Sequence, residues 1–327
     1  MPFLPDNPLA LVQMLLSLPL FSLVIAAVIV VVISVSRRTA RASVPDRYAR
    51  ELRALGVVAI GVIVVFAIEN IVRGYVLCMV GRCLVDVVDW WRYPTPILAA
   101  ALGLAVVVVL IATSGTVAPE EPVLPTSRRT WTTFGPRGGL VAAGVTLVTL
   151  VTTTVASGLV SSSDENGRFI YLELSAPNTS IEPVRPWFYG WSYGVPVLIS
   201  VVLLGLVTWV LLTRNSARPF LRADTMPAEQ GARTDVASAA VRIATAGSLL
   251  ALGGVFRFVA SANISSVSIN GGEPYEVAWR YAALTSAAGW VAPVLEVIGF
   301  SLLLLVAVRS VRARARVVEP VAEAAVR

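Results

Sequence analysis

The sequence predicts an all-α polytopic membrane protein with seven transmembrane helices, its N-terminus outside and its C-terminus in the cytoplasm. Three observations lead there. The 327 residues are 56% hydrophobic and 14% charged, with a mean hydropathy of +0.78, whereas an average soluble domain is about 25% charged. Seven apolar runs each reach the roughly 20 residues with which a helix crosses a hydrocarbon core of about 30 Å. Arginine alternates between the joining segments: 37–53, 117–138, 214–237 and 309–327 hold 6, 3, 4 and 5, while 1–9, 81–95, 161–193 and 261–288 hold 0, 2, 2 and 1. The positive-inside rule places the Arg-rich set in the cytoplasm.

The first helix, 10–36, follows MPFLPDNPL, in which Asp6 is the sole charge. A signal peptide has a basic leader and a shorter apolar core, so this run is expected to be a retained helix. The second, 54–80, holds Glu69 and Arg73 four residues apart, acid first, the favourable order for an intrahelical pair. Cys78 and Cys83 fall at its outer end, where the redox compartment permits a disulfide; no histidine is present to complete a metal site. The third helix is 96–116. The fourth, 139–160, lines Thr146, Thr149, Thr153 and Ser157 along one face, either as a polar path or as hydroxyls bonded within and between helices.

The fifth helix is 194–213. The sixth, 238–260, spaces Ala240, Ala244, Gly247, Ala251 and Gly254 as a helical stripe, preceded by Ala237 and continued by Arg257. The seventh, 289–308, carries Gly289, Ala292, Glu296 and Gly299. Small residues let helices approach closely, so both stripes read as packing seams. Residues 309–327 form a basic cytoplasmic tail whose Arg309, Arg312, Arg314 and Arg316 suit anionic lipid. Residues 1–308 thus make a single domain, one leading helix plus three helical hairpins.

WWRYPTPIL at 90–98 is echoed by WSYGVPVL at 191–198 and WVAPVL at 290–295, each on the outer side. Interfacial aromatics followed by helix-starting prolines would produce this pattern; so would duplication of a hairpin. Pro96, Pro196 and Pro293 are each expected near a helix start. In the outer segment 161–193, Arg168 to Leu174 suggests a short strand, and Trp187, Phe188, Tyr189, Trp191 and Tyr193 suit interfacial anchoring or a sugar or apolar ligand.

Charges inside membrane helices are costly, so each is a functional candidate until a structural partner is found. Arg257 and Glu296 lie at similar depth in consecutive helices and are expected to pair. The pair either locks the hairpin or belongs to a ligand site in the outer half of the bundle, shared with Glu69 and Arg73. Arg242, near the cytoplasmic end, is expected to snorkel.

Absent residues close several classes. All 26 basic residues are Arg, with no Lys and no His. A retinal Schiff base lacks its amine, and axial-His haem, His-ligated zinc and Ser/His catalysis lack their imidazoles. No Walker loop is present and the longest inner segment, 214–237, has 24 residues, so no nucleotide-hydrolysing domain fits between the helices. No cofactor, metal or catalytic residue is expected. The net charge of +6 follows the cytoplasmic rim rather than a nucleic-acid footprint. The leading expectation is a transport component, either a permease subunit, whose partners are membrane lipid and a separate cytoplasmic ATPase or other membrane subunit, or a small carrier. An enzyme using Glu69 or Glu296 as acid/base on a lipid is the least favoured reading. The alternative is a non-transporting accessory or sensor. The Arg-for-Lys and Ala/Val bias points to a GC-rich bacterial genome and the inner, plasma membrane.

Overall fold

The structure of the chain, a computed structural model, describes residues 18–36, 46–71, 88–113, 130–174, 183–220, 225–261, 266–267, 275–276 and 279–314. Among them are seven helices of 18 residues or more: α1 (Pro19–Ser36), α2 (Asp46–Ile71), α3 (Thr95–Thr113), α4 (Arg137–Val160), α5 (Trp191–Ala217), α6 (Met226–Ser261) and α7 (Trp279–Arg314). All but α1 are long and apolar enough to cross a membrane. Two antiparallel hairpins complete the described elements, β1 (Ser162–Ser163) with β2 (Phe169–Tyr171) and β3 (Ser266–Val267) with β4 (Tyr275–Glu276).

The outer surface is that of a protein solvated by hydrocarbon. Val57, Leu102, Val148 and Val202 are each at least 66% exposed, on four different helices. A protein stable in water does not present apolar faces of this extent, whereas lipid covers them without penalty.

At the centre stands α6, wrapped by α7, α2, α3, α5 and α4. Of its apolar stretch 72% is buried, against 11% for α4 on the periphery. The reason is composition: Ala, Gly and Ser dominate α6, so neighbours approach its backbone on several sides. Thr245 and Ser248 return their hydroxyl protons to the carbonyls of Val241 and Ala244, so these two hydroxyls need no partner on a neighbouring helix. The small residues serve two seams rather than one. A Cβ on Gly247 would meet the Pro96 carbonyl and Ala100 of α3 at 3.0 Å, whereas one on Gly253 would meet Glu296 of α7 at 2.9 Å. The facing Gly299 lies against Leu250 and the Ala246 carbonyl. α1 packs along α7.

Three helices begin well before their apolar runs. α2 starts at Asp46 rather than near 54, α6 at Met226 rather than near 238, and α7 at Trp279 rather than near 289. In α6 the extra turns carry Glu229 and Arg233, which are buried against α2 and α5 and so acquire protein partners that hydropathy does not register. The prolines of the three Trp-Pro elements are consequently not equivalent. Pro96 is the second residue of α3, but Pro196 and Pro293 lie inside α5 and α7. Only Pro96 occupies the first turn, where a missing N–H costs little.

The helix ends fall into two groups. The starts of α2 and α6 meet the end of α5 at an Arg-rich end, through Arg47, Glu51, Arg218, Glu229 and Arg233. At the opposite, aromatic end, the approach to α3 and the start of α5 meet the end of α6 through Tyr93, Tyr193 and Phe258. The β1–β2 hairpin sits at this end. Its strand β2 crosses so close to the start of α5 that a Cβ on Gly190 would lie 2.2 Å from the Phe169 carbonyl, which is why glycine stands there.

Candidate functional site

Near the aromatic end, α2, α3, α6 and α7 enclose a cavity of about 270 Å³. Leu250, Phe66 and Phe258 supply apolar wall; Arg92, Asn70 and Ser261 stand where α3 begins and where α2 and α6 end. Arg92 and Ser261 are exposed, so the cavity opens at this end. The proline of the first Trp-Pro element, Pro96, also lines it.

Arg257 and Glu296 form one side. The Arg257 Nε donates to Glu296 Oε1 at 2.9 Å and its Nη2 to Oε2, a fork-to-fork pairing of planar groups. Ser22 of α1 donates to the same Oε2 at 2.9 Å. Glu296 is 1% exposed and Arg257 20%, so the carboxylate is the enclosed partner and the guanidinium reaches the cavity. Charge-assisted donors on both oxygens are what make an ionised group tolerable at this depth.

Beside the cavity the aromatic side chains form a packed wall. Tyr93 meets Tyr189 and Tyr193 edge-on at ring separations of 5.3 and 5.5 Å, and Tyr193 meets Phe258 at 5.4 Å. Phe188, Tyr189 and Tyr193 are buried, so this part of the cluster stabilises the end of the bundle and offers no exposed platform to a sugar. Of the strand expected over Arg168 to Leu174, Phe169–Tyr171 is present as β2, and Leu174 makes only an isolated bridge with Val184.

Arg257 and Glu296 are thus brought together, and Glu69 is not with them: it is half-buried near the end of α2 and does not line the cavity, whereas its neighbour Asn70 does. Arg73, Cys78 and Cys83 lie outside the described residues, as do the tail residues from 315 on. The threonine stripe divides. Thr146 and Ser157 are on the buried side of α4, and Thr149 is exposed. Thr153 is half-buried. Thr146 and Thr149 bond the carbonyls of Ala142 and Val145 in their own helix. Thr154, next to the stripe, is the one that reaches outward, 3.5 Å from the Tyr189 hydroxyl.

Sequence reasoning passed over Arg92, Asn70, Ser261 and Ser22. Arg92 sits inside the first Trp-Pro element and was visible there; Ser22 carries no signal, because one serine in an apolar run is ordinary. It also missed the network at the Arg-rich end. Arg233 is fully buried and donates to the Tyr48 hydroxyl at 3.0 Å and to the carbonyls of Arg218 and Pro219 at 2.8 Å, with Phe220 packed 4.2 Å from its guanidinium. Glu229 receives Arg47 at 3.1 Å and Arg233 at 3.4 Å, and Glu51 receives Arg218 at 2.8 Å. The i, i+4 spacing of Glu229 and Arg233 was the available signal.

Compared with protein-family models, with curated proteins and with solved structures, the chain matches none. Its six long apolar helices with hydrocarbon-compatible exteriors are consistent with an integral, multi-pass membrane protein.

Proposed function

We propose that the chain is a seven-span protein of the bacterial plasma membrane, N-terminus outside and C-terminus in the cytoplasm. In this reading it is a transport component, a permease subunit working with a separate cytoplasmic ATPase or other membrane subunit, or a small carrier. The observation that carries the reading is a cavity that opens at the aromatic end and reaches an intramembrane ion pair, while at the Arg-rich end the described residues pack around the buried Arg233. A ligand site reachable from one face only is the arrangement of an outward-facing transport body. The bias of Arg toward the other face supports the orientation. For α1 as the first span, the support is its packing along α7 and the apolar residues that precede it in sequence. A sensor or accessory is the second reading, favoured by the burial of every residue from Ile243 to Gly253 in α6, which leaves the core without a passage.

Two measurements test the proposal. A Ser261→Cys variant, with Cys78 and Cys83 changed to Ala, should be labelled by a membrane-impermeant maleimide from outside intact cells; labelling from the cytoplasmic face alone refutes the orientation. Mild-detergent purification from the native membrane should bring a stoichiometric energising subunit, or the isolated chain should drive uptake into proteoliposomes. If neither occurs for a compound that binds, the transport reading falls and the sensor reading replaces it.

A further inference from the structure

We infer that the cavity takes a small monoanion with an apolar body, its acidic head held at Arg92 and its body against Phe66, Leu250 and Phe258. The inference rests on the reading of the cavity as a ligand site and names the ligand's chemistry.

The charge of the lining decides the sign. Among the described residues three ionised side chains face the cavity, Arg92, Arg257 and Glu296. The carboxylate is committed: both oxygens accept from Arg257, and one also accepts from Ser22. A cationic ligand would therefore meet two guanidinium groups and no uncommitted carboxylate. Arg92 is different. It is exposed, its guanidinium lies 6.0 Å from the Tyr93 ring, and no carboxylate among the described residues pairs with it. Asp89 is one turn earlier and outside the lining. One guanidinium in excess calls for one negative charge, with a planar acid the best match to its fork of donors.

The remaining polar groups limit the ligand further. Asn70 donates to the Phe66 carbonyl and Ser261 to the Phe258 carbonyl, so both are partly spent within their own helices. A polyol would find too few partners for its hydroxyls. Along α6 the lining runs from Ser261 at the mouth to Leu250, which at 1.5 Å per residue is about 16 Å of depth. The head therefore sits at the mouth and the apolar body points inward.

The full chain in lipid nanodiscs should be titrated calorimetrically with 4-phenylbutyrate, 4-phenylbutylamine and 4-phenylbutanol, which share a body and differ in charge. The acid should bind at least about tenfold more tightly than the amine, the scale of one charge-assisted pairing. Arg92→Gln, at an exposed site, should remove about that factor for the acid and leave the alcohol unchanged. Gly254→Leu should abolish binding of all three, because its Cβ would only touch Tyr93 at 3.6 Å and the rest of the side chain would occupy the cavity. If the amine or alcohol equals the acid and Gly254→Leu still blocks it, the cavity is a site but the anion assignment is overturned. If Gly254→Leu changes no titration, or none of the three binds, the cavity is not the site and the proposed function fails with it.

Discussion

Removing the Arg257 guanidinium should destabilise the fold. In Arg257→Leu, Glu296 loses the guanidinium that reaches both its oxygens and, among the described residues, keeps only the Ser22 hydroxyl, in a position 1% exposed. Breaking a buried pair by deleting one partner costs about 3–5 kcal/mol, because the remaining group loses its charge-assisted donors where water cannot replace them. Arg257→Leu with Glu296→Leu should recover most of that loss. Reversible unfolding in mixed micelles measures both variants. A double variant no better than the single one, or a single variant as stable as the parent, refutes the view of Glu296 as a buried group held by Arg257.

At the other end, Arg233→Leu should cost about 3–5 kcal/mol and Arg233→Lys should recover little, because one ammonium cannot reach Tyr48 and the Arg218 and Pro219 carbonyls together; detergent-solubilised thermal melts test both. Gly247→Leu should destabilise by about 1–3 kcal/mol through overpacking against α3. Gly205→Leu, with nothing within 4 Å, should not, and equal losses would contradict the seam. In the β1–β2 loop, burial raises the affinity of Asp164 for its proton, but donation from the Arg168 backbone and side chain outweighs it and holds the carboxyl below its usual value. Its contribution to loop order is therefore fully present above the unfolded carboxyl range and lost as pH falls through the lower folded value; the protection of the Asn166 and Arg168 amides relative to their intrinsic exchange rates should drop there, and Asp164→Ala should show no such step.

The helices most legible in the sequence are those solvated by lipid. The run 139–160 matches α4 within two residues at its start and fully at its end, because a helix facing hydrocarbon must advertise its length in hydropathy. α6 was underestimated for the opposite reason: its first three turns contact protein, and Glu229 and Arg233 read as a loop when their partners on α2 and α5 are unknown. The site was half legible. Arg257 and Glu296 stand out because charge is scarce in apolar helices, and two helix ends at one level predict their meeting. Asn70 and Arg92 do not stand out, since polar residues at helix ends are common; only the convergence of α2, α3 and α6 gives them a shared cavity. Hydroxyl spacing misled at Thr149, whose proton is spent on Val145 and whose side chain is exposed.

The central position of α6 bears on how the protein is made. It is the least apolar of the six long helices and carries Arg242 and Arg257. An arginine at a helix centre opposes insertion by about 2.5–3.5 kcal/mol, and these two, toward the ends of the apolar stretch, oppose it by less. Alone in lipid, the segment is held less firmly than its more apolar neighbours. Its neighbours α2 to α5 precede it in the chain and offer a protein-lined slot, while Glu296, which neutralises Arg257, emerges only with α7. The seating of α6 is therefore completed by the helix that follows it, and in a nascent chain stopped after residue 278 cysteines placed in α6 should react with thiol reagents that the full-length chain excludes, while those placed in α2 to α5 stay protected.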